Sequence, residues 1–454
     1  MTRHQLLARG SSGWLRSTGA FAATAGILSA CVLAGSFVPA AASQTRATQA
    51  SSSDQTVTVW TDGPRLPGFK LFQKTHPSVK LNIVLYDGDA SADLPTKIAL
   101  YNRAGSGWPD VVFSGNQVDA AWASDTQYHF AAPLNKGLVP QSLLNGFATG
   151  SLAPCTFNGV VYCLRNDIAQ DVLWYNKTLM TKWGYSVPTT WPQYQALGEK
   201  VAAQHPGYII GEIGNTNSAD AYFAGSECPA QELVGNLKVE IDTTAPDCTR
   251  MANLLDPLIK DGSITDLPAG SNDYVKKYRP NKVLMDYAAS WYGEYIFEDL
   301  LKTPKGEMAA ALPPTWPGDS YTGDQGGGIY LVSSHAANPK LAAEVAEFMA
   351  TSISFQGNPV TAPTYPAYKP AAAVWLKAVN ASGYFAQSPA GVFTVTANEL
   401  WPGWSALTFD TDLNWANTVV AGITAGKSIA SLLGPWGTSL KNQAQSLGYS
   451  VVSS

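Results

Sequence analysis

Charged side chains are scarce in this chain: Asp, Glu, Lys and Arg make up 14% of its 454 residues, against an average near 25%. Positive charge is the scarcer sign, with 29 Lys and Arg against 34 Asp and Glu. An acidic balance argues against nucleic acid or an anionic membrane as the main partner. Histidine occurs five times, and the four copies after residue 75 are scattered. Neither HExxH nor GxSxG is found, so zinc-hydrolase and serine-nucleophile chemistry lack their signatures. A catalytic carboxylate pair is assembled by folding, so a secreted carbohydrate-active enzyme stays open from sequence alone. No internal repeat is visible.

Cysteine is also sparse, with five copies. Cys31 falls in the N-terminal segment, which leaves Cys155, Cys163, Cys228 and Cys248. Neither close pair has the two-to-four-residue spacing of zinc ligands. Local spacing pairs Cys155 with Cys163 and Cys228 with Cys248 as disulfides. The first pair brackets a hairpin whose Asn158 and Gly159 supply the positive-φ turn, and the second closes a loop of 20 residues. Export agrees with this usage. Arg3, Arg9 and Arg16 precede the apolar FAATAGILSACVLAGSFV and the small residues at Ala40 and Ala42. That order predicts a signal peptide over residues 1–42, and the apolar stretch is short for a membrane anchor. LSAC, residues 28–31, also matches a bacterial lipoprotein box in which Cys31 would carry lipid. The apolar VLAGSFV after it favours simple secretion to the extracellular space or cell envelope.

Removal of the signal leaves 26 Lys and Arg against 34 Asp and Glu, a net charge of −8, and thirteen of the 14 Trp. Large aromatic faces beside uncharged hydrogen-bonding groups suit a neutral polyhydroxylated ligand, although many Trp will be core. Residues 43–55, SQTRATQASSSDQ, read as a flexible linker. TVTVW at 56–60 starts the fold as a strand, and strand and helix patterns alternate to PDVVF at 109–113. This predicts an α/β fold with a mainly parallel sheet and ligand loops beyond the strands' carboxyl ends. Residues 170–305 are more helical, with Thr189, Thr190 and Pro192 marking one helix start. The pattern then returns to strand at GGGIYLVSS (326–334) and to a helix opened by Asn338 and Pro339.

The order of VTVW, GWPDVVF, NGVVYCLRNDIAQDVLWYNKTLM, WGYSVPTTWPQYQAL, KVLMDYAASWYGE and GGGIYLVSSHAANPKLAAEVAEFM resembles the extracellular solute-binding proteins of sugar-importing ABC transporters, the class that includes maltose-binding protein. The resemblance covers most of the mature chain. It implies a two-lobed, type II (Venus-flytrap) periplasmic-binding-protein fold that closes on its ligand. Residues 56–165 and 310–354 would form lobe 1, and 166–309 and 355–454 lobe 2, with crossovers near 164–168, 308–313 and 354–360. It further implies a monomer without cofactor or metal, a carbohydrate ligand and a membrane permease as partner. A binding protein for a peptide, polyamine or phosphorylated glycerol is the alternative within the same fold.

A pyranose offers a CH face for aromatic stacking and a rim of hydroxyls for paired polar groups. Trp291 matches the family's stacking position. Asp220 and Tyr222 fall where the family places a polar and an aromatic contact. Asp62, Asp87, Asn116 and Gln117 sit on lobe 1 loops. Asn166, Asp167 and Gln170 flank the first crossover, where Arg165 stands in place of a usual Pro. Trp401 and Trp404, with Glu399 beside them, read as a second stacking wall. AGITAGKS, residues 421–428, matches a loosened phosphate loop. No buried strand precedes it, and the family carries such a turn between two C-terminal helices, which makes Ser428 a helix cap.

Overall fold

Thr56–Thr61 (β1) alternates β-branched residues so that Val57 and Val59 are buried, as a sheet facing a helix layer requires. Helix Leu66–Thr75 carries the chain to Lys80–Leu85 (β2), and helix Asp93–Ala104 to Val111–Ser114 (β3). Both strands pair with β1 in parallel. The computed structural model describes residues 56–86, 88, 93–235, 237–279 and 281–452. The signal peptide, Cys31, the 43–55 linker and Asp87 therefore lie outside the described residues.

Cys163–Arg165 (β4) joins the first sheet at its far edge, and the chain then passes through residues 166–170 into Asp171–Asn176 (β5) of a second sheet. Met285–Ala289 (β6) and Met308–Ala311 (β7) flank β5, both antiparallel. Residues 312–328 return the chain to the first sheet as Ile329–Val332 (β8), which pairs antiparallel with β3 and β4. The first sheet has the order β2-β1-β3-β8-β4. The expectation of a mainly parallel sheet thus holds for β1, β2 and β3 only. β8, the strand that enters from the other sheet, runs antiparallel to both of its neighbours, β3 and β4.

Two apolar cores follow. One surrounds the first sheet and extends to Trp375 and Phe393, while the other holds Trp191, Trp415 and Trp436 beneath the second. Trp174, Trp191, Trp375, Trp415 and Trp436 are all fully buried, so much of the tryptophan content is core. Both disulfides form as spacing indicated, Cys155 with Cys163 and Cys228 with Cys248. Asn158 and Gly159 take φ of 51° and 73° in the hairpin between them. Thr190 and Asn338 cap their helices by accepting from Gln193 and Leu341 N–H.

The Gly-Lys-Ser turn lies between helical segments, with Ala421–Thr424 before it and helix Ile429–Ser446 after. Ser428 accepts from Ser431 N–H at 3.3 Å. Asp256 supplies the anion a bare helix N-terminus would attract, accepting from Ile429 N–H at 2.6 Å and Ala430 N–H at 3.1 Å. A phosphate would have to displace that carboxylate. Asp256→Ala should therefore cost about 1 kcal/mol of stability, the scale of a lost cap. An unchanged urea midpoint would show the contact to be energetically idle.

Candidate binding site

The loops after β1 and β3 face the loop 214–217 and the segment 291–300 across a cavity of about 760 Å³. The crossover residues Asp167 and Gly326–Gly328 also line it. After β1, Asp62 turns the chain by accepting from Arg65 N–H at 3.0 Å and pairs with Arg65 Nη1 at 2.9 Å. The guanidinium lies 4.2 Å above the Phe113 ring, which holds a cation in the cavity wall with its charge already neutralised. After β3, Ser114 Oγ donates to Asp119 at 2.6 Å and Trp122 Nε1 donates to it at 2.7 Å. These bonds brace the turn that presents Asn116.

On the opposite wall, Glu212 shapes the loop. It accepts from Gly214 N–H at 2.9 Å, Asn215 N–H at 3.2 Å and the Tyr292 hydroxyl at 2.8 Å. Burial pushes its carboxyl up to about 7, and these donors only partly offset that. Asn215, Thr216 and Asn217 line the cavity from this braced loop, with the Asn215 amide donating to Glu212 at 2.9 Å and to the Tyr292 hydroxyl at 2.7 Å. Trp291 is half-buried, and its Nε1 donates to Gln325 O at 3.1 Å. Tyr292 lies 4.6 Å and Tyr295 6.3 Å from it, ring to ring. A ring clamped at its edge and flanked by aromatics is a rigid stacking surface.

The crossovers form the floor. Gly328 N–H and Asn166 Nδ2 both donate to Asp167 at 2.8 Å. Arg165 is fully buried and binds the second crossover through Asp324 at 3.2 Å and the first through the Asp167 carbonyl at 3.0 Å. Gln117 also accepts from it. A proline there could not tie the two crossovers together. Gly327, at φ +97°, lies where a Cβ would strike that guanidinium, so its backbone requires glycine.

A second cavity, of about 270 Å³, adjoins Gln117, Asp220, Trp401 and Trp404. The two Trp rings sit 6.3 Å apart at 45°, and Trp404 Nε1 donates to Asp220 at 2.8 Å. Burial raises the Asp220 carboxyl to about 8 despite that bond.

Of the residues singled out from sequence, Trp291, Asp62, Asn116 and Asp167 line the larger cavity, and Gln117, Asp220, Trp401 and Trp404 the smaller. Tyr222 lines neither. It is 1% exposed and buried against Tyr287, 5.4 Å away, because the helix Ser218–Tyr222 turns that side into the core beneath the second sheet. Asn166 and Gln170 lie in the first crossover with sealed side chains: Asn166 accepts from Tyr330 and Gln356, and Gln170 donates to Phe393 O. Glu399 lines neither cavity, and its carbonyl accepts from Thr322 N–H at 2.7 Å. Arg65, Asn215, Asn217, Tyr295 and Asp412 line the larger cavity and escaped sequence reasoning. The Asn-rich GNTN before Ser218 was the one signal available for two of them. Among the described residues no group of three or more His, Cys, Asp or Glu is arranged to hold a metal ion.

Two α/β sheets joined by crossovers, with a polar cavity between their loops, define a two-lobed binding protein. Residues 58–353 match the family model of the bacterial extracellular solute-binding protein, and the chain belongs to that family. The fold is that of solved structures at low identity. The ABC transporter associated binding protein from B. animalis subsp. lactis Bl-04, in complex with beta-1,6-galactobiose, has a TM-score of 0.73 at 18% identity, covering 87% of this chain and 99% of that one. The galacto-N-biose-/lacto-N-biose I-binding protein of the ABC transporter from Bifidobacterium longum gives 0.72 at 20%, covering 87% and 98%. Maltose-bound T. maritima MalE3 gives 0.66 at 18%, covering 86% and 99%. Among the described residues no helix is long and apolar enough to cross a membrane.

Proposed function

We propose that this chain is the extracellular carbohydrate-binding component of an ABC import system, capturing a mono- or oligosaccharide between its lobes and delivering it to a membrane permease without breaking a bond. The observation that carries this reading is one cavity lined by the edge-clamped Trp291 together with Asn116, Asp167, Asn215 and Asn217. That pairing of an apolar platform with neutral and acidic hydrogen-bonding groups matches the two faces of a pyranose. Solved proteins of this fold were captured with galactobiose, lacto-N-biose and maltose. Both lobes contribute lining, so a ligand that touches both favours the closed state.

The lobes in this reading are residues 56–165 with a segment from 312 to beyond 360, and 166–311 with the rest of the C-terminal part. The pairing of Ala310 and Ala311 with Trp174 and Leu173 supports a second boundary near 312, within the expected 308–313 crossover. The hydrogen bonds from Ala148 and Ile168 N–H to the Ala367 and Tyr365 carbonyls favour a third crossover later than 354–360. Residues 1–42 direct export, residues 43–55 act as a spacer, and Cys31 is the residue at which lipid anchoring would be decided. The protein acts as a monomer.

Tryptophan fluorescence of residues 43–454, titrated with mono- and oligosaccharides and followed by chromatography of the sugars, tests the proposal. Saturable change with intact sugar is expected. Cleavage products would replace it with an enzyme, and silence across the panel would replace it with a non-sugar solute.

A further inference from the structure

The larger cavity changes character along its length. At the crossover end its lining is polar and hydrogen-bonded. Asp167 accepts from Gly328 N–H at 2.8 Å, and Gln325 joins Trp291 to Asn217: its carbonyl accepts from Trp291 Nε1 at 3.1 Å and its amide donates to Asn217 at 3.3 Å. The segment after Trp291 leads away from this end. Gly293–Leu300 is a π-helix, and the stretch from Trp291 to Leu300 covers on the order of 10 Å. Bonding from i to i+5 widens the turn, so positions four and five apart share a face. Tyr295, Ile296 and Leu300 follow Trp291 at those spacings, and all of them line the cavity.

At its far end the helix meets the loop 268–270. Gly270 takes φ +85°, and a Cβ on it would lie 3.4 Å from Leu300 Cδ1 and 3.8 Å from Ile296 Cδ1. Pro268, Ala269 and Gly270 line the cavity together with Ile296 and Leu300, and none of these five has a polar side chain. Leu300 is 37% exposed. A lone exposed leucine means little, but one continuous with four other apolar residues in a cavity wall states the chemistry of what belongs against it. A sugar ring fits poorly there. Its one apolar face is matched by Trp291, and its hydroxyls would be left unpaired against proline, alanine and leucine, which is costly.

Resting on the carbohydrate reading above, we propose that the ligand is a glycoside, with its sugar held at the crossover end and an apolar aglycone seated on Pro268, Ala269, Ile296 and Leu300. The sugar meets the hydrogen-bonding groups beside Trp291. The aglycone covers apolar surface that a free saccharide would leave wet.

The test is calorimetric titration of residues 43–454 with the methyl and phenyl glycosides, in both anomers, of glucose, galactose, xylose and maltose. For at least one sugar the phenyl glycoside should bind about ten- to fiftyfold more tightly than the methyl glycoside, the scale of burying a ring on apolar surface. Leu300→Ser should bring that ratio below about threefold, by weakening the phenyl glycoside more than the methyl one. Ala269→Asn repeats the test from the loop should the first variant fail to fold. Trp291→Ala should weaken both glycosides alike and leave the ratio in place. Equal affinity for methyl and phenyl glycosides of every sugar that binds, binding confined to free oligosaccharides, or a phenyl preference that survives both substitutions would overturn the aglycone seat and leave the carbohydrate reading standing. A chain that binds none of these glycosides, nor any member of the fluorescence panel, would overturn both.

Discussion

Trp291→Ala is expected to weaken saccharide binding roughly 30- to 150-fold, about 2 to 3 kcal/mol, which is the scale on which truncating a buried aromatic anchor acts. The loss has three parts. The stacking face disappears, the Gln325 carbonyl loses the donor that reached it at 3.1 Å, and Tyr292 and Tyr295 lose the ring they flank. Fold stability should change little, because Trp291 is half-buried at a cavity wall while the fully buried indoles of the cores are Trp174, Trp191, Trp375, Trp415 and Trp436. Trp291→Phe separates the parts: it retains a face but lacks the N–H, so it should recover part of the affinity. Calorimetry with the best ligand from the fluorescence panel reads both variants, and thermal unfolding checks the fold. Full affinity in Trp291→Ala would move the platform elsewhere, with Trp401 and Trp404 next in line.

How far the site was legible in the sequence follows from which interactions are local. Trp291 was readable because it sits in a short motif at the end of β6, and the hairpin at Asn158 and Gly159 because its turn chemistry is contained in two residues. Asn338, Thr190 and Ser428 were readable as caps for the same reason. Tyr222 was misplaced because Asp220 and Tyr222 share a helix of five residues. Two positions apart on a helix means different faces, so one reached a cavity and the other the core. Asn166 and Asp167 parted in the same way at the crossover, with Asp167 lining the cavity and Asn166 sealed by Tyr330 and Gln356. Asp412 carried no local signal. Its place in the cavity depends on how the C-terminal helices lie against a loop almost 300 residues earlier. The sheet orientation was illegible too, because strand polarity in a two-body fold is fixed by where each crossover enters and not by the pattern of any one strand.

Stability should be higher at pH 5 than at pH 8.5, the reverse of what an average acidic protein with paired surface carboxylates shows. Burial pushes Asp119 and Glu212 up to about 7 and Asp220 up to about 8. Asp171, Asp286 and Asp412 are also raised, first by burial and then by neighbouring carboxylates. In the unfolded chain these groups titrate near 4. Between about pH 4 and pH 8 the native state therefore binds more protons than the unfolded one, and stability falls as pH rises. The contribution is fully present below the unfolded pKa and is lost on passing through 7 to 8. A three-unit shift at one group corresponds to about 4 kcal/mol, enough for Asp119 alone to move the melting temperature measurably. Asp242, lowered by its bond from Thr244, works in the opposite sense but is largely exposed to solvent screening. Asp119→Asn gives the direct check. Its side chain can still accept from Trp122 Nε1, and its amide can donate to Ser114 Oγ, whose hydroxyl is free to turn towards Asn116 O at 3.3 Å. The variant should match the parent near pH 5, exceed it at pH 8.5, and show a shallower fall of melting temperature between them. A parent whose melting temperature rises from pH 5 to pH 8.5, or a variant with an unchanged slope, would mean that these carboxyls are ionised in the folded state.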